Sequence, residues 1–117
     1  MNEENRQDIR FEEIGRVLAP DLCAIPGVLD DISLTGCKIH FPCLFQIDME
    51  NEYKLNISLT SPNSAPLQLI SKPIWAKEFS DVMEIGFQFL FSPDDARLRE
   101  LIVTLKEKGQ DEFPVII

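Results

Sequence analysis

The chain is short of the residues that most often carry chemistry: one histidine, three cysteines and five glycines in 117 residues. A single histidine, with no nucleophile–base pair recognisable at motif level, argues against an enzyme. No glycine-rich loop of the phosphate-cradling kind is present. Cys23, Cys37 and Cys43 form no CxxC, and an odd number leaves one unpaired in any disulfide scheme, so reduced, mostly buried thiols are expected. Basic residues are also scarce, 11 Lys and Arg against 20 Asp and Glu, for a net charge of −9. Such a field repels polyanions, which excludes a general binder of nucleic-acid polymers. One small anion held by local arginines stays compatible with it, because charges beyond about 8 Å are largely screened. No apolar run approaches the roughly 18 residues of a membrane span. The opening "MNEENRQDIR" lacks the basic-then-apolar order of a secretory signal. The expectation is a cytoplasmic, single-domain protein with no membrane span and no cofactor.

What is present is strand periodicity. "EYKLNISLT" (52–60) alternates strictly, with Tyr53, Leu55, Ile57 and Leu59 on one face. "GCKIHF" (36–41) places Cys37, Ile39 and Phe41 opposite Lys38 and His40. "FEEIGRVLA" (11–19) and "LCAIPGVLDDIS" (22–33) read as strands, the second bent at Pro26-Gly27. "LQLISKPIWAKEF" (67–79) reads as a fifth strand, with Pro73 at an edge or a bulge. "VMEIGFQFLF" (82–91) is the sixth, with Ile85, Phe87, Phe89 and Phe91 on one face. Six short strands in succession predict an all-β fold, a small antiparallel barrel or sandwich.

The period then changes to that of a helix over 92–109. Ser92 can cap, Pro93 suits the first helical position, and Asp94 and Asp95 favour the positive end of the dipole. Leu98, Leu101, Ile102 and Leu105 form the apolar stripe, and Gly109 follows as a stop. The expected organisation is an N-terminal flexible arm (1–11), a barrel with C-terminal helix (12–109), and a tail (110–117). The tail's Phe113, Val115, Ile116 and Ile117 either dock on the barrel or contact a partner or a second copy.

Two spaced patterns stand out against this background: Arg6-x-x-x-Arg10 in the arm and Asp31-x-Ser33-x-x-Gly36 at the end of the second strand. Each alone is weak, since Asp, Ser and Gly are ordinary turn residues. Cys37-x2-His40-x2-Cys43 suggests zinc only briefly, because Cys37 and His40 fall on opposite faces of a strand. Asp30 and Asp31 are adjacent, so alternation sends them to opposite faces, Asp30 as an ordinary exposed charge.

Taken together, RxxxR before the first strand and DxSxxG after the second resemble the PilZ family of bacterial cyclic di-GMP receptors. Trp75 and "IGFQF" (85–89) resemble the family's closing strands. The resemblance spans roughly residues 5 to 108. It implies a six-stranded antiparallel barrel with a C-terminal helix. It also implies a cyclic di-GMP site built from Arg6, Arg10, Asp31, Ser33 and Gly36.

Those residue types suit the ligand. Arginine forks onto guanine O6 and N7 or onto phosphate oxygens. A carboxylate accepts from guanine N–H groups, and a serine both donates and accepts. Alternation puts Asp31 and Ser33 on one face, and Gly36 allows a tight turn and close ligand approach. On this resemblance the arm orders as its arginines meet the ligand, and the signal passes to an unidentified downstream protein or a homodimer. The alternative is an adaptor that keeps the barrel and acts by protein contact without nucleotide.

Overall fold

The computed structural model describes residues 9–12, 15–59 and 65–112, the last five of them by backbone alone. The strands are β1 (Gly15–Ala19), β2 (Cys23–Ile32), β3 (Gly36–Phe41), β4 (Tyr53–Leu59), β5 (Leu67–Phe79) and β6 (Val82–Phe89), and the helix is α1 (Asp95–Glu112). All six strands pair antiparallel and close in the order β1-β2-β3-β6-β5-β4. Closure leaves no free sheet edge, which a short chain with this much apolar strand needs. The expected barrel is therefore the observed one.

The interior follows from alternation. Val17, Leu29, Ile39, Phe41, Leu55, Ile57, Leu69, Ile85 and Phe87 point inward and are buried. Leu98, Ile102 and Leu105 of α1 belong to the same cluster, so the helix's apolar stripe completes the barrel core. The helix is fixed at its start by side chains reaching β5. The Ile70 amide donates to Ser92 Oγ at 2.8 Å, and the Gln68 amide donates to Asp94 Oδ2 at 2.7 Å.

Four sequence expectations give way here. Ser92 does not cap the helix with its hydroxyl, which instead accepts from Ile70 and donates to the Leu90 carbonyl at 2.8 Å. Phe91 does not face inward; β6 ends at Phe89, and Phe91 is 91% exposed. Strand β1 begins at Gly15 rather than at residue 11. Gly109 does not stop α1, which continues to Glu112. Arg6 and residues 113–117, which carry one arginine of the site and the apolar tail, lie outside the described residues.

Pro73 sits at a bulge, as one of its two expected settings. Pro73 pairs with Phe87 and Trp75 with Gly86, leaving Ile74 as the extra residue. Among the described residues no helix is long and apolar enough to cross a membrane.

Candidate ligand-binding site

The second bulge shapes the site. Leu29 pairs with Ile39 and Asp31 with Lys38, so Asp30 is the unpaired residue of β2. A bulged residue breaks the period of two. Leu29 and Ile32 are both buried, and Asp30 and Asp31 between them are both half-exposed. The expectation that the two carboxylates face opposite ways is thus corrected. Asp30 is also no ordinary exposed charge, because its Oδ1 lies 2.8 Å from His40 Nδ1. Asp30, Asp31, Lys38, His40, Glu12 and Glu84 border one open cavity of about 550 Å³, which Phe79 and Val82 also line.

Arg10 is already at this wall. Phe11 forms a two-bond antiparallel bridge with Ile32, the Phe11 amide donating at 2.8 Å and the Ile32 amide at 3.0 Å. That bridge pins the chain one residue from Arg10, whose Nη1 donates to Asp31 Oδ1 at 2.9 Å. Arg10 and Phe11, the last two residues of the expected arm, thus both touch the barrel. The pair is open to solvent, with side-chain exposure of 43% for Arg10 and 20% for Asp31. A guanidinium has five donors and a carboxylate two oxygens. Among the described residues one hydrogen bond joins the two side chains, through one guanidinium nitrogen and one carboxylate oxygen.

Ser33 and Gly36 are placed differently. Ser33 is fully buried rather than on Asp31's face, because β2 ends at Ile32 and the chain turns there. Its Oγ accepts from the amides of Thr35 and Gly36, each at 3.2 Å, and donates to the Gly36 carbonyl at 3.3 Å. The Ser33 amide donates to the Gly36 carbonyl at 2.8 Å. The hydroxyl thus does the work of a turn-closing backbone group.

Gly36 has no positive φ. Its need for glycine is steric: a Cβ there would collide with the Phe87 carbonyl oxygen of β6. The close approach seen here is to the neighbouring strand. Gly36 pairs with Gln88, and the Thr35 carbonyl accepts from the Phe89 amide at 2.8 Å, so the turn is sewn to β6.

Buried Cys37 lies behind the wall, and burial raises its thiol pKa far above the ordinary value. The Asp31 charge pushes the same way and Arg10 opposes it. Cys37 faces the core and His40 the outside, as alternation required. Among the described residues no group of three or more potential metal ligands converges.

One row crosses four strands on the outer wall: Asp31 pairs with Lys38, Lys38 with Gly86, and Gly86 with Trp75. The Trp75 indole lies directly over Gly86, where any Cβ would meet the ring. With 38% of its surface exposed, Trp75 adds an aromatic face to a wall that otherwise carries charge. Trp75 and the Asp30–His40 pair were not assigned to the site from the pattern of the sequence. The bulges that expose them have no signature in that pattern beyond Pro73.

The fold is thus a closed six-stranded barrel whose outer wall carries an arginine–carboxylate pair, a charged cavity and an aromatic face. The sequence profile described as "PilZ domain" matches residues 4–107. The chain belongs to the PilZ domain family. No curated protein matches it. Among the solved structures that share the fold are two of YcgR. One is the PilZ domain with c-di-GMP of YcgR from Escherichia coli, with a TM-score of 0.66, 15% identity, and coverage of 94% of this chain and 98% of that one. The other is YcgR in complex with c-di-GMP from Escherichia coli, with a TM-score of 0.70 and 16% identity. This chain is covered to 96% and spans 50% of that longer chain.

Proposed function

We propose that the protein is a cytoplasmic receptor for cyclic di-GMP that acts by binding rather than catalysis. The observation that carries this reading is the Arg10–Asp31 pair at 2.9 Å, which unites the two halves of the RxxxR and DxSxxG pattern on one exposed wall. Arg10 and Arg6 supply forked donors for guanine O6 and N7 or for phosphate. Asp31 accepts from guanine N–H groups. Ser33 and Gly36 serve the site by fixing the turn that aims Asp31. The strong net negative charge makes these local arginines the source of attraction for an anion.

Ligand entry competes with the Arg10–Asp31 bond and redirects the segment before Phe11. Redirection of that segment alters a contact with a downstream protein or a second copy. The adaptor reading differs in requiring no nucleotide at all.

Calorimetric titration of cyclic di-GMP into the folded protein separates the two. The receptor reading expects saturable heat that falls at least about tenfold in affinity in Arg10→Ala, as the loss of a charged hydrogen-bonding group of about 1.5–3 kcal/mol implies. Arg10→Lys should rescue little of it, because an ammonium cannot fork. Absence of heat with folded wild type would overturn the receptor reading in favour of the adaptor.

A further inference from the structure

Cys23 and Cys43 stand apart from Cys37. Both are half-buried, and their Sγ atoms lie 3.6 Å from each other although 20 residues separate them in sequence. Cys23 opens β2, and Cys43 follows the end of β3 by two residues. The β2–β3 hairpin brings its own two ends together, and the sulfurs meet there, at the opposite end from the Ser33–Gly36 turn.

We propose that Cys23 and Cys43 are a thiol modification site that closes to an intramolecular disulfide when a two-electron oxidant of the disulfide or peroxide class is present. This rests on the sulfur geometry alone and is independent of the cyclic di-GMP reading. A disulfide needs an S–S distance of about 2.05 Å, so the sulfurs must close by roughly 1.5 Å.

With oxidised glutathione the chemistry balances in two exchanges. One cysteine loses its proton, and its thiolate attacks a glutathione sulfur, breaking that S–S bond and releasing one glutathione thiolate. The second cysteine thiolate then attacks the mixed disulfide, forms the Cys23–Cys43 bond and releases the second glutathione. The two protons leave on the two glutathione thiols, the protein pair is oxidised by two electrons, and glutathione disulfide is reduced.

The hydrogen bond that the Cys43 thiol shares with Cys23, with smaller contributions from burial and the Cys23 charge, raises it above its ordinary pKa. Exchange runs through the thiolate, so the test is best run at mildly alkaline pH. Cys37, buried with its thiol pKa raised, takes no part.

The product staples the hairpin that carries Asp31, Ser33 and Gly36 at its other end. Closing a loop of this length removes conformational freedom from the unfolded chain and raises Tm by roughly 10 °C.

Mass spectrometry of the full chain tests the proposal. Reduced protein is treated with oxidised glutathione, alkylated and cut by trypsin together with a protease that cleaves before aspartate. Asp30, Asp31 and Lys38 then put each cysteine on its own peptide. The expected result is a Cys23–Cys43 linked pair, loss of two hydrogens, unlinked Cys37, and a higher Tm that dithiothreitol reverses. Free Cys23 and Cys43 after prolonged treatment, a link through Cys37, or links between copies would overturn it.

Discussion

The two halves of the Asp31–Gly36 pattern do opposite jobs, although they are only a few residues apart. Asp31 is half-exposed and bonded to Arg10 across 21 positions of sequence. Ser33 and Gly36 are buried and bonded to each other and to β6. On the proposed reading Asp31 is the ligand contact, and the Ser33–Gly36 turn is the scaffold that aims it. The two parts should separate under mutation, scaffold changes costing stability and contact changes costing affinity.

The largest effect is expected at Gly36. Gly36→Ala drives a methyl group into the Phe87 carbonyl, a backbone atom that cannot swing aside. Overpacking of this kind costs about 3 kcal/mol, read as a fall in the midpoint of urea unfolding. A variant as stable as wild type would mean that β3 and β6 are not so closely apposed.

Ser33→Ala comes next. It strands the amides of Thr35 and Gly36, the latter buried, for about 2 kcal/mol in the same assay. Ser33→Thr retains a hydroxyl, but its extra methyl has no free space at a fully buried position, so only partial recovery is expected.

Contact residues should behave in the opposite way. Arg10→Ala and Asp31→Ala remove a solvent-exposed ion pair, which contributes about 1 kcal/mol or less to folding. Their expected loss is in cyclic di-GMP affinity. The smallest effect is expected from His40→Ala, which frees Asp30 at the cavity border and should leave stability nearly unchanged. A large stability loss there would show that the Asp30–His40 bond holds the β2 bulge.

How much of this could be read in advance depended on regular alternation. β4 was legible because Tyr53, Leu55 and Ile57 alternate with polar residues, and all three are buried. The apolar stripe of α1 was legible for the same reason. β2 was not, because an inserted residue shifts the face of everything beyond it, and nothing in "VLDDIS" marks Asp30 as that residue. Phe91 misled because alternation continues in the sequence after β6 has ended. The residues of the RxxxR and DxSxxG pattern were visible as types and spacing, but not their division into contact and scaffold. That division depends on whether Ser33 points at a ligand or back into its own turn, which only the hydrogen bonds reveal. The approach of Cys23 to Cys43 was invisible too, since it requires the register of a whole hairpin.

The central claim is that Asp31 is a ligand contact held out by a self-sufficient turn. The most direct measurement is calorimetric titration of cyclic di-GMP into Asp31→Ala protein whose Tm has been compared with wild type. The predicted result is a near-wild-type Tm with affinity reduced at least about tenfold. Undiminished affinity at an unchanged Tm would contradict the claim.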